Sequence, residues 1–261
     1  MKIVLVPVDF SETSLHAATY AAQLLTGHLG ITMVLYHNYT KDSEADEALV
    51  TLEILKTKLV QKFTIDIEIL SYKEDDFVTG LERAVRHRNA NLVIMGITER
   101  SALGQIFIGS NALKFAETKS CPVLIIPEQA IYKEINNALL ASDFKNTYIS
   151  TPSEPIKDIL KIFRPKLHII NVDPTHYISL TEAHETEKAT LREMFAIFNP
   201  EFYFMRLHDV DEAINMFAEE KNIDLIITIQ HNYTFMEKLF KRSHTKSITY
   251  DSNVPILVVH E

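Results

Sequence analysis

The chain repeats itself. Asn91-Leu92-Val93-Ile94-Met95-Gly96 is followed by Pro122-Val123-Leu124-Ile125-Ile126-Pro127, and Asp224-Leu225-Ile226-Ile227-Thr228-Ile229 by Pro255-Ile256-Leu257-Val258-Val259-His260. Asn91 to Asp224 and Pro122 to Pro255 are both 133 positions apart, so the register holds without a gap. Near the starts, Val8-Asp9-Phe10 matches Ser142-Asp143-Phe144 at an offset of 134. Self-similarity at a fixed period constrains the fold more than any local pattern, because both copies must solve the same packing problem. With 261 residues there is room for two units of ~130, each able to bury its own core. The expected domains are 1–130 and 136–261, joined near Pro127 to Asn136. Charge divides in the same way, with 12 basic and 16 acidic residues through Ala130 and 14 and 19 after it.

Within each copy, short apolar runs rich in β-branched residues alternate with amphipathic helical stretches. In copy one the strands are expected near 2–8, 31–37, 64–70, 91–96 and 122–126, and the helices near 12–27, 44–62, 76–88 and 110–119. Copy two gives strands near 136–142, 166–172, 200–207, 223–229 and 254–260. Alternating β and α elements imply right-handed crossovers and a parallel sheet covered on both faces. The expected fold class is therefore α/β, with two tandem five-stranded parallel-sheet domains of Rossmann-like type. Ile65, Ile67 and Ile69 alternate with Asp66 and Glu68, so that strand has one wet face and belongs at an edge. Val123–Ile126 and Ile256–Val259 are apolar throughout. If each is the other edge, its open backbone groups need a cover, and the two last strands are expected to meet in an intrachain pseudo-dimer.

Composition narrows the function. A single cysteine, Cys121, excludes an intramolecular disulfide and a multi-cysteine metal site. The net charge of −9 argues against general nucleic-acid affinity, which usually needs a basic face. No apolar run approaches the ~20 residues of a membrane span, and the short run Ile3–Val8 lacks the features of a signal peptide. A cytoplasmic protein is expected, with no nucleic-acid or membrane partner.

Open α/β sheets bind ligands at the carboxyl ends of their strands, near the point where the strand order reverses. Two segments of copy one should meet there. Asp9-Phe10-Ser11 follows the first strand, with Ser11 a helix N-cap. Gly96 to Ser110 follows the fourth, and Gly109-Ser110 opens a helix whose free N–H groups suit a phosphate. An equal alternative is that Gly96 and Gly109 are ordinary turn glycines and Ser110 an ordinary cap.

Copy one resembles the universal stress protein family, and the whole chain looks like its tandem two-domain form. The resemblance rests on Pro7-Val8-Asp9-Phe10-Ser11, Leu35-Tyr36-His37, Met95-Gly96, Gly109-Ser110-Asn111 and Cys121-Pro122-Val123-Leu124. It implies a fold of the adenine nucleotide alpha hydrolase-like type and a stress-response regulatory role. It also implies at most one adenine-nucleotide site, for AMP or ATP, in domain 1, with no nucleotide required. Asp9 would contact adenosine and the Asn38 backbone would flank the adenine, while Gly96, Gly109, Ser110 and Asn111 would line the phosphates. Pro7, Val8, Met95, Thr98, Glu99 and Ala112 complete the expected nucleotide-binding set. The nucleotide-binding members carry Gly, two residues, Gly, nine residues, then Gly-Ser or Gly-Thr. Gly96, Gly109 and Ser110 fit the outer positions, but Glu99 stands at the middle glycine.

Copy two departs further. At the 133 offset Gly96 becomes Ile229, Glu99 becomes Asn232 and Gly109 becomes Arg242. Its loop holds Lys238, Lys241, Arg242, His244 and Lys246, read as a solvated basic face in preference to an anion site. Asp143 is read as a remnant of the turn. His176 and His184, eight apart, lack the four-residue spacing of a common zinc pair. Cys121 reads as a packed thiol, and no catalytic acid–base set or metal site is evident. One alternative function is a ligand-independent interaction scaffold of the same fold, with an unknown protein partner or a further pairing of chains; another is a nucleotide-dependent enzyme, with weak ATPase activity at most.

Overall fold

The computed structural model describes residues 1–97, 110–172, 181–207, 210–229 and 253–260, apart from the side chains of Ser110 and Asp211. The chain divides into two compact units, Met1–Tyr132 and Lys133–Glu261.

Unit 1 runs β1 (Ile3–Pro7), α1 (Glu12–Leu25), β2 (Thr32–Tyr39), α2 (Ala45–Val60), β3 (Asp66–Lys73), α3 (Phe77–Arg88), β4 (Leu92–Ile97), α4 (Ser110–Glu117) and β5 (Val123–Pro127). A 3₁₀ turn, Asp42–Glu44, precedes α2. The strand order is β3-β2-β1-β4-β5 and every pair is parallel. Val4, Leu5 and Val6 of the central strand are fully buried, as expected for a strand covered on both faces. β3 lies at the edge, with Ile67 buried and Asp66 and Glu68 exposed, which is what its alternating pattern predicts.

Local chemistry sets the helix ends. The Ser11 hydroxyl caps α1 by accepting the Ser14 N–H, and Asp76 caps α3 by accepting the Thr79 N–H at 2.8 Å. Asn89 closes α3 in the left-handed conformation, at φ 48°. One face of α1 is small: Ala17, Ala18, Ala21 and Ala22 are all buried, so the helix can lie close to the sheet.

Unit 2 repeats the plan with β6 (Asn137–Ala141), α5 (Thr147–Ser150), α6 (Ser153–Phe163), β7 (Lys166–Val172), α7 (Glu182–Met194), β8 (Glu201–Met205), α8 (Val210–Glu220), β9 (Leu225–Ile229) and β10 (Ile256–Val259). Its order is β10-β9-β6-β7-β8, again all parallel. The chain is thus two tandem Rossmann-like α/β domains. In each, the first strand sits between the second and the fourth, so the order reverses beside β1 and beside β6.

The repeat extends to an unusual backbone conformation. Phe10 and Phe144 follow the first strand of their copies and both have positive φ, 64° and 56°. A bulky residue seldom adopts such an angle. The same carboxylate device holds it in each copy. Asp9 Oδ1 accepts the Ser11 N–H at 3.0 Å, and Asp143 Oδ1 accepts the Lys145 N–H at 3.0 Å. Asp143 therefore persists as a turn-former.

Beyond this turn the copies differ. Copy one has one continuous helix of 14 residues. Copy two has the single turn α5, a break at Thr151-Pro152, and then α6.

Candidate functional site

A cavity of about 270 Å³ opens at the order reversal of unit 1, close to the ~300 Å³ lower bound of small-molecule sites. Pro7 and Val8 come from the end of β1, Met95 and Gly96 from β4, and Asn111 and Ala112 from the first turn of α4. Asp9 completes this set on the rim. Pro7, Val8, Met95 and Ala112 are buried, whereas Asp9 and Asn111 are exposed. Of the residues singled out from sequence, these seven come together, with the N-cap Ser11 an eighth. Asn38 is not among the lining residues: its amide Nδ2 donates to the Glu74 carbonyl at 2.8 Å, and Tyr36 Oη donates to its Oδ1 at 3.3 Å. Thr98, Glu99, Gly109 and the Ser110 side chain lie outside the described residues, as does the basic loop Lys238–Lys246.

The carboxylate of Asp9 is oriented before any ligand arrives. Oδ1 accepts both the Ser11 hydroxyl, at 2.6 Å, and the Ser11 N–H. The Asp9 N–H in turn donates to Ser14 Oγ at 3.3 Å. Partial burial pushes the carboxyl's pKa up, but the hydrogen bonds from Ser11 and Ser14 outweigh it and hold the group below the usual carboxylate range. Asp9 thus presents a fixed negative charge that can accept a hydroxyl donor.

Gly96 has a physical explanation that the spacing did not reveal. A Cβ built there would stand 2.6 Å from the Thr13 carbonyl oxygen and 2.8 Å from Thr13 Cγ2. Its φ is not in the left-handed region. Gly96 is therefore required by the close approach of the first turn of α1 to β4, whatever it does for a ligand. Thr13, Ser14 and Phe77 also line the cavity and were not singled out from sequence. Ser14 carried a signal, standing three residues after a predicted N-cap; Phe77 and Thr13 carried none.

The matching place in unit 2 is a cavity of about 230 Å³ whose wall includes Asp143, Ile170, Val172, Ile214, Thr228 and Ile229. Here Ile229 takes the place of Gly96. An isoleucine cannot lie under a helix as close as α1 lies to β4, and it is in this copy that the helix is broken into α5 and α6.

Two other sequence candidates have local roles, and a third lies outside the described residues. His184 Nδ1 is 2.9 Å from Thr181 Oγ1 at the cap of α7. Cys121 is buried, with its thiol 3.5 Å from the Ala90 carbonyl, and burial pushes its pKa up to about 12. His176 is the residue outside the described ones.

Comparisons agree with the architecture. A family model described as the universal stress protein family matches residues 1–127 and 168–260. A universal stress protein from Archaeoglobus fulgidus DSM 4304 superposes with a TM-score of 0.71, covering 99% of this chain and 96% of its own, at 20% identity. A functionally unknown protein from Pseudomonas aeruginosa PAO1 gives 0.58 over 100% of this chain and 92% of its own, at 14% identity. The cytoplasmic domain of a prokaryotic cation chloride cotransporter gives 0.59 over 98% and 93%, at 12% identity. At these identities the likeness shows the fold alone. No curated protein sequence matches the chain. Among the described residues, no helix is long and apolar enough to cross a membrane.

Proposed function

The chain belongs to the universal stress protein family, and on that premise we propose that it is a cytoplasmic stress-response regulator with one adenine-nucleotide site, in copy one. The observation that carries this reading is the cavity at the order reversal, lined both by the oriented Asp9 carboxylate and by Asn111 and Ala112 of the first turn of α4. Ribose hydroxyls are the natural donors to Asp9. The phosphates belong at the far side, towards Asn111 and the opening of α4, since helix N-terminal N–H groups favour anions and Asp9 repels them. AMP brings less negative charge to the Asp9 cavity than ATP does, and is the preferred ligand of the two. Copy two, with Ile229 in place of Gly96, is assigned no nucleotide. No catalytic residue is assigned.

A second reading, a ligand-independent interaction scaffold, is favoured by one observation: packing against Thr13 accounts for Gly96 without any phosphate. Mass spectrometry of small molecules released from the purified, denatured protein separates the two. Adenosine phosphate at near one per chain supports the regulator. An empty protein that also gives no calorimetric signal with AMP or ATP supports the scaffold. We further infer, from the apolar runs Val123–Ile126 and Ile256–Val259 alone, that the last strands of the two copies pair.

A further inference from the structure

Helix α2 is apolar on two faces. Ala48, Leu52 and Leu59 are buried, and the helix packs on β2 and β3. Leu49, Val50 and Ile54 face outward and are 42%, 60% and 49% exposed. The fold does not demand this outer stripe. Helix α7 fills the same place in copy two, between the second and third strands, and its exposed positions include Glu182, Glu185, Thr186, Arg192 and Glu193. The stripe is a property of copy one.

Its charges are ordered. Residues four apart on a helix share a row, and the row along the stripe reads Asp46, Val50, Ile54, Lys58: acid, apolar, apolar, base. It spans about 18 Å. Neither Asp46 nor Lys58 is in an ion pair among the described residues; Glu53, on the adjacent row, has Lys56 at 3.9 Å. Turned end for end, the row is its own complement. A twofold interface requires that property of a surface, whereas an unrelated partner would not.

We propose that α2 is a self-association surface, pairing antiparallel with α2 of a second copy of this chain across a twofold axis at the level of Leu52. In that register Val50 of one protomer meets the partner's Ile54, and Asp46 faces the partner's Lys58, each contact occurring twice. Leu49 widens the apolar strip. Because both rows are i,i+4 ridges, aligning them sets the helices at a crossing of about −50°, which keeps both ends of the row in reach. The contact of one helix stripe falls short of the ~1,000 Å² of a stable specific interface, so pairing is weak and concentration-dependent.

Sedimentation velocity of the full chain from low to high micromolar concentration tests this. A reversible monomer–dimer equilibrium is expected. Ile54→Glu puts a carboxylate into the apolar centre and should weaken it at least ~tenfold. Asp46→Lys alone, or Lys58→Asp alone, places two like-charge pairs in each dimer and should also weaken it at least ~tenfold. Mixing the two single variants pairs opposite charges at both ends, and a mixed dimer should return to the native affinity. That recovery cannot arise from a folding defect in either variant. A chain that stays monomeric throughout overturns the proposal and leaves the stripe to a different protein. So does a dimer indifferent to Ile54→Glu, or a mixture no tighter than its components.

Discussion

Replacing Gly96 by alanine places a methyl group 2.6 Å from the Thr13 carbonyl oxygen and 2.8 Å from Thr13 Cγ2. Contacts below 3.0 Å are essentially never seen for real Cβ atoms, so something must give. The oxygen belongs to the backbone of α1 and cannot swing aside like a side-chain tip. Helix and strand must separate by roughly 0.4–0.8 Å, and overpacking of this kind costs ~1–3 kcal/mol. The rigid neighbour places the cost in the upper half, about 2–3 kcal/mol. For a unit of this size each kcal/mol lowers Tm by ~3–5 °C, so a fall of ~6–15 °C is expected. Calorimetry on nucleotide-free protein is the assay, because a glycine needed only for phosphate contact would leave that Tm unchanged. Adding Thr13→Ser removes Cγ2 but keeps the carbonyl, and should recover less than half of the loss. A Tm for Gly96→Ala within ~2 °C of the native value would refute the packing argument.

Three further outcomes are expected. Asp9→Ala removes the acceptor of the Ser11 N–H and hydroxyl and should cost ~1 kcal/mol in urea unfolding. Because the folded carboxyl is held below its usual range, its contribution is full above the unfolded pKa of ~3.9 and fades as pH falls through the folded value; the native–variant gap should be level between about pH 6 and 8 and close below ~4, and a gap that grows in acid would reverse the sign. Cys121, with its thiol pushed up to about 12 by burial, should resist iodoacetamide at neutral pH until the chain is unfolded; labelling of the native protein at the rate of a free thiol would contradict its burial. If the loop of Glu99 lies as in the nucleotide-binding members of the family, Glu99→Gly should tighten ATP binding by about one to two decades, since like charges ~5 Å apart repel by roughly 1–3 kcal/mol and ~1.4 kcal/mol is tenfold; an unchanged calorimetric isotherm would place Glu99 away from the phosphates.

The plan of the fold is legible in the chain alone. The 133 and 134 offsets, the alternation of apolar runs with amphipathic stretches, and the wet face of β3 are local or periodic properties, and period alone fixes which residues can share a face. The carboxyl ends of β1 and β4 were legible as neighbours for the same reason: a parallel alternating sheet brings them together at its order reversal. Proximity across elements is another matter, and it comes only with the folded packing. That Gly96 is needed under Thr13, that Phe10 and Phe144 are held left-handed, and that Phe77 and Thr13 reach the cavity all depend on how the backbone and its segments are set against one another in three dimensions. The double-faced α2 shows the limit most plainly. Its pattern contains two apolar stripes, and only the packing against β2 and β3 shows that Leu52 goes in while Val50 and Ile54 stay out, because burial belongs to the neighbour a face meets and not to the face itself.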